Sequence, residues 1–449
     1  MSVQTPPTQP PGAVAGAPFV PGGAAVVPPP SVPLGFLAAA GAGLSAFGLV
    51  AWWGADWIVT WPAATEAVAA VHVGVLAFLT TAVLGAVHQF APVVARRPLR
   101  SIPMARLTLV GMVATAVILP TGFGHGPEWL VAAGGVIGAL AVSLAAWNLS
   151  APLAARDGGV PLAGLRFSVT FLVLTVAFGV VYAFDRQTGW FPLVSHRVLA
   201  HAHLGLLGWL GLTHVSVAEK LWPMFLLAHR PRARAGAWAV GLLAAGAPVL
   251  TVGLLFAWAN VAWLGGLIVS VGLTCHLASL AAVVRHRRRP LELLHAFLFA
   301  SAVFLVVAAL LAATAALASV DPAERARLVA AEIAALIAWL GLAVIGHVHK
   351  IVPFIAYTSL RARGVTTAAT GRPLLFGDLF HHGAARLTFA GATAGFALVI
   401  AGILADSAPV VAIGAVAVAA TGVLVTTNLA SGPLRAARTA SEPAPREVT

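Results

Sequence analysis

The chain has 449 residues, 60% of them hydrophobic and only 9% charged, with a mean hydropathy of +0.94; this excludes a soluble globular enzyme, and its many long apolar runs read as membrane helices. The single cysteine, Cys275, lies inside one such run, which excludes a disulfide framework, a cysteine-based zinc site and covalent cofactor attachment through paired cysteines. The net charge of +12 comes from arginines in short loops between apolar runs, so it carries topology rather than nucleic-acid binding.

Residues 1–34 are rich in Pro, Gly, Ala and Val and lack the basic start and apolar core of a signal peptide, so a disordered cytoplasmic arm is expected there. Twelve apolar spans follow, at 35–54, 66–94, 104–123, 128–151, 165–185, 198–226, 236–257, 261–285, 293–318, 326–358, 384–405 and 409–430. The remainder, 431–449, is polar and reads as a cytoplasmic tail. Arginines crowd the loops after even-numbered spans: Arg96, Arg97 and Arg100, then Arg230 and Arg232, then Arg285 and Arg287 to Arg289. The opposite loops carry Arg186, Arg197, Arg325 and Arg327. The positive-inside rule then puts both termini in the cytoplasm of a multi-pass protein of the plasma (inner) membrane.

The second, sixth and tenth spans repeat one another. His72, His203 and Ile333 each precede a proline (Pro92, Pro223, Pro353) by 20 residues, about 30 Å of helix and one bilayer core. Spans four apart that match in this way predict three four-helix units. The expected fold class is therefore an all-α integral membrane bundle of about twelve helices around a pseudo-threefold axis, with these three spans innermost.

Equivalent positions on two inner helices place His72 and His203 at one depth, where two imidazoles can supply the two axial nitrogens of a low-spin haem. The competing reading is that each forms a hydrogen bond at a helix interface. Neither has an acid nearby in sequence to explain it. His201 precedes His203 by two residues, about 200° around the helix, so it faces elsewhere. It is either the proximal ligand of a second haem or a histidine bonded to water or a loop carbonyl. Arg197, one turn before His201, and Arg186 are candidates for haem propionates, or are solvated loop arginines.

His88, Glu219 and His349 share another repeat position, four residues before each proline. They form a candidate second metal or proton site, or are ordinary interface groups. His214, His276 and His295 are expected in structural roles.

The run His201-Ala202-His203-Leu204-Gly205-Leu206, ending at Pro223, resembles the His-x-His helix of the haem–copper oxidase and nitric oxide reductase large subunits. The helix from His72 to Pro92 resembles their second helix, and the twelve-span layout is similar. The resemblance implies haem b held by His72 and His203, with His201 on a high-spin haem, and electron transfer or chemistry on oxygen or nitric oxide. It departs in placing His-x-His on the sixth span, where the family has it on the tenth. The only adjacent histidine pair, His381-His382, falls on the opposite side from the other three, so the family's copper site is not expected. The implied partners are membrane lipid and an electron-donor protein or further subunit. A haem-free transporter, or an assembly or stress factor on the same bundle, is the alternative.

Overall fold

The computed structural model describes residues 26–228, 234–368 and 371–441. Most of the expected N-terminal arm, part of the Arg230–Arg234 loop and the last eight residues of the tail lie outside these. Among the described residues, twelve helices are long and apolar enough to cross a membrane. They are α1 Ser31–Trp53, α2 Thr65–Ala95, α3 Ile102–Gly124, α4 Trp129–Leu153, α5 Gly159–Thr188, α6 Ser195–Leu226, α7 Arg234–Leu255, α8 Ala259–Arg285, α9 Leu293–Leu317, α10 Pro322–Ala362, α11 His382–Leu404 and α12 Ala408–Ser441. The chain is an all-α multi-span membrane protein. The twelfth helix runs on to Ser441, so the polar tail expected from 431 begins as helix. Its apolar periodicity stops before its backbone hydrogen bonding does.

Local chemistry sets several of the ends. Asp321 accepts the Glu324 N–H at 2.8 Å and Pro322 occupies the first turn of α10, a capped start. Exposed Trp52, Trp57, Trp61, Trp129, Trp190 and Trp258 gather at the end of the bundle where α2 and α6 begin, as indoles do at a membrane interface. Val110, Leu140 and Leu267 of outer helices are more than 60% exposed, as suits side chains that face lipid.

The spans of α2, α6 and α10 are 61, 67 and 72% buried, against 22–44% for the other nine. Near their middles lie Phe78, Trp209 and Trp339, each 14 residues before its proline and each almost wholly buried. They close a ring head to tail. Trp209 donates its indole N–H to Thr80 of α2 at 3.3 Å. Trp339 covers Gly211 of α6, where a Cβ would come within 3.1 Å of its ring. Phe78 covers Gly341 of α10, at 3.2 Å. Thr80, Gly211 and Gly341 are themselves equivalent positions, so one contact is made three times around the axis.

Two further features mark the repeat. Val73–Thr80 of α2 and Leu204–Gly211 of α6 are wound as π-helix, each starting one residue after its histidine, whereas α10 is α-helical throughout. A π stretch takes up one residue more than α-helix over the same rise. Gly43 of α1 lies against the π stretch of α2, where a Cβ would strike the Ala77 carbonyl at 2.2 Å. Both α2 and α6 end in a left-handed residue four past the proline, Arg96 and Leu227, whose N–H groups bond Pro92 and Pro223 carbonyls. The symmetry breaks on the outside: α4 packs along α5 and α12 along α1, but α8 and α9 make no comparable backbone approach among the described residues.

Candidate functional site

The start of α2 and α6 collects most of the singled-out side chains. His72 and His203 are held alike. Each donates Nδ1–H to the carbonyl four residues back, Val68 and Leu199, both at 2.8 Å. This anchors the ring to its own helix and turns Nε2 outward, the orientation that second-shell bonding gives a metal-ligating histidine.

The two Nε2 atoms do not face each other. His203 meets Glu332 of α10, Nε2 to Oε1 3.0 Å, and both residues are buried. His72 instead lies beside His201, with ring centres 6.4 Å apart and planes within 19°. The pairing of His72 with His203 expected from the sequence is thus not the one the fold makes. Rotational symmetry is the reason. Equivalent residues on helices around a threefold axis point in the same rotational sense, so His72 and His203 enter successive grooves rather than one. The partner across a groove must come from a non-equivalent position, and His201, about 200° round α6 from His203, supplies it.

The same relation recurs in the next groove. The π stretch gives α2 and α6 one residue that α10 lacks. Counted through it, Glu332 occupies in α10 the place of His201 in α6. His72 faces His201 as His203 faces Glu332. Glu332 is the site residue that sequence reading missed. Its position beside Ile333, the third repeat position, was the available signal, and the one-residue slip concealed it.

Around the first pair, Phe123 of α3 stacks on His72 at 5.1 Å. Arg186 lies over Phe123 at 5.4 Å and reaches Glu128 at 3.4 Å. Tyr182 packs edge-on against His201 at 5.9 Å and donates its hydroxyl to the Arg197 carbonyl at 2.9 Å. Arg197 lies over Phe191 and donates to the Pro192 carbonyl at 2.8 Å. Both arginines therefore border the site. His201 Nδ1 and Arg186 Nε are buried without a hydrogen-bond partner. Unpaired buried nitrogens of this kind are costly unless something further occupies the site.

The second expected site does not assemble. His88 stacks on Phe36 of α1 at 5.5 Å, His349 on Phe297 of α9 at 5.4 Å, and Glu219 accepts from Ser279 of α8 at 2.8 Å. Each faces an outer helix of its own unit. Among the described residues no three His, Cys, Asp or Glu side chains converge as metal ligands. His381 and His382 open α11: His381 Nδ1 accepts the Ala384 N–H, and its own N–H bonds Asn428 of α12 at 2.7 Å. That pair is a helix start tied to a neighbour. No protein-family model matches the chain and no curated protein is similar to it.

Proposed function

We propose that the chain binds one haem b between α2 and α6, which His72 and His201 would hold, and that it serves electron transfer in the membrane. The observation that carries this is the separation of the two rings. Two imidazoles bonded at about 2 Å on opposite sides of one metal have ring centres about 6.3 Å apart. Here they are 6.4 Å apart and nearly parallel. The donor set fits: neutral nitrogens from two inner helices, with Arg186 and Arg197 at hand for carboxylate side groups. Haem b, when bound, supplies a one-electron couple. The protein's part is to anchor His72 through Val68, stack Phe123 against it, and close the site with Tyr182.

A haem held by both histidines would have no open position, which would favour electron transfer over oxygen or nitric oxide binding. A copper of the oxidase type is not part of the proposal, because His381 caps the start of α11 and His382 packs against Phe380 beside it. The arginine distribution supports cytoplasmic termini, with the site near the outer face of a plasma (inner) membrane. The partner is an electron-donor protein or subunit at that face. A second reading, a haem-free transporter or assembly factor, is favoured by one observation: His203 and Glu332 satisfy each other without any cofactor.

A reduced-minus-oxidised spectrum of the protein purified under haem-replete conditions, with and without carbon monoxide, tests the proposal. One low-spin haem per chain, insensitive to carbon monoxide, is expected. Absence of haem absorbance would leave the haem-free reading standing.

A further inference from the structure

A cavity of about 610 Å³ lies between α1, α2 and α3. Its lining runs from Ala39 to Trp53 on α1 and from Ala69 to Thr81 on α2, roughly 20 Å of helix. Past Ala39, toward the start of α1, the same helices close up. There a Cβ on Gly85 would come within 2.4 Å of Phe36, and one on Gly35 within 3.2 Å of Leu109. The cavity therefore begins at the Trp-rich end of the bundle and stops near its middle, about the depth of one leaflet, half of a bilayer core of about 30 Å. Val113 and Val117 of α3 line it and are exposed, so it opens sideways into the bilayer.

The second four-helix unit fills the corresponding place with its own side chains. Val32-Pro33-Leu34 of α1 matches Val160-Pro161-Leu162 of α5, and the contacts keep that register. Phe36 meets Gly85 as Gly164 meets Ser216, and Gly43 meets Ala77 as Phe171 meets Gly208. On this register α5 carries Phe167, Leu174 and Phe178 where α1 has Ala39, Ala46 and Val50. The first unit thus leaves unfilled a groove that its repeat packs with aromatic rings, and an unfilled lining forfeits dispersion contacts. Nothing along it calls for a polar occupant. The Thr81 and Thr121 hydroxyls already donate to the Leu76 and Val117 carbonyls, both at 2.7 Å. Polarity enters only at the end, where Trp53 stands edge-on to His125 with ring centres 4.7 Å apart, as suits a membrane–water boundary.

We propose that this groove holds one acyl chain of a phospholipid from the leaflet on the His72 side, with the headgroup beside Trp53 and His125. The depth decides the occupant. A membrane helix of a partner or of a second copy needs a face along the whole core, about 30 Å, whereas this one is shut halfway by Phe36 and Leu109. A single hydrocarbon chain needs one leaflet only, and with both lining hydroxyls spent the groove accepts hydrocarbon at no polar cost. The chain replaces the side chains that α5 supplies in the second unit. It stabilises the contact of α1 and α3 with α2, and it does not depend on haem.

Native mass spectrometry of the full chain, washed extensively in mild detergent, tests this, with the bound molecule identified by fragmentation. One phospholipid per chain is expected. The double variant Ala39→Phe/Ala46→Leu gives α1 the side chains that α5 carries at those places and should lose the lipid. Leu267→Ala, at a lipid-facing position elsewhere, should keep it, as should His72→Ala even where haem is lost. Wild-type protein stripped of lipid should unfold at a lower temperature and recover when dioleoylphosphatidylglycerol is added, and the double variant should show neither change. Ala42→Phe, a single substitution at the exposed rim, repeats the test if the double variant fails to fold. Wild-type protein without bound lipid, undiminished lipid in the variants, or an isoprenoid molecule in place of the phospholipid would overturn the proposal. So would a dimer that survives stripping and is dissociated by Ala42→Phe, which would give the groove to a second copy.

Discussion

The groove between α2 and α6 and the groove between α6 and α10 are built by the same contact. In each, a histidine anchored to its own helix and followed by a π stretch points at the next inner helix round the axis. The first meets His201 at a ring separation of 6.4 Å; the second meets the Glu332 carboxylate at 3.0 Å. One residue distinguishes the two grooves: where it is an imidazole the two rings lie side by side, whereas a carboxylate accepts from the facing imidazole and closes the groove with a buried hydrogen bond.

The largest effects should follow from exchanging that residue. His72→Ala and His201→Ala should each abolish the low-spin spectrum, and Glu332→Ala should leave it. If His203→Ala removes the spectrum and His201→Ala does not, the axial pair is the one expected from the repeat alone. Glu332→His should turn the second groove into a copy of the first and raise haem content from one to two per chain, while His201→Glu should turn the first into a copy of the second and lose haem. Pyridine haemochrome assay against protein concentration measures both.

Next in size is the His203–Glu332 contact itself. Glu332→Ala leaves a buried histidine facing no partner and should destabilise the protein by about 3–5 kcal/mol. Glu332→Gln, which can still accept a hydrogen bond, should cost less. Thermal unfolding in detergent ranks the two, and equal losses would mean that Glu332 acts through its carboxylate charge rather than through volume or a hydrogen bond that an amide can accept. A smaller effect belongs to the aromatic ring that both grooves share. Thr80→Val removes the acceptor of the Trp209 indole and should cost about 1–3 kcal/mol, whereas Gly341 offers Phe78 no such bond to lose.

The smallest effect lies outside the membrane. Burial of the Asp378 carboxyl works to raise its pKa, but the Leu375 N–H and the Arg372 guanidinium outweigh it and hold the group below the ordinary carboxylate range. A lowered folded pKa gives stability that is present above the unfolded value of about 3.9 and is lost as pH falls through the folded one. Asp378→Asn should therefore flatten the acid limb of stability slightly and leave both grooves unchanged, as read by unfolding at pH 3 and pH 6.

The composition and the apolar run lengths were enough to place all twelve spans, because a helix in lipid must satisfy its own backbone and must be long enough to cross. The prolines 20 residues beyond His72, His203 and Ile333 were enough to read the threefold repeat and to name the inner helices. His72, His201, His203, Arg186 and Arg197 were singled out from the sequence, and all lie at one end of the bundle. Which histidine faces which was not legible there. Repeat equivalence fixes depth, but the direction around the axis is a property of the assembled bundle, and there equivalents point the same way and miss each other. Glu332 was hidden for a related reason: its partner His203 comes from a helix far off in the chain, and the single extra residue in the π stretch of α6 shifts the register that the sequence alone displays.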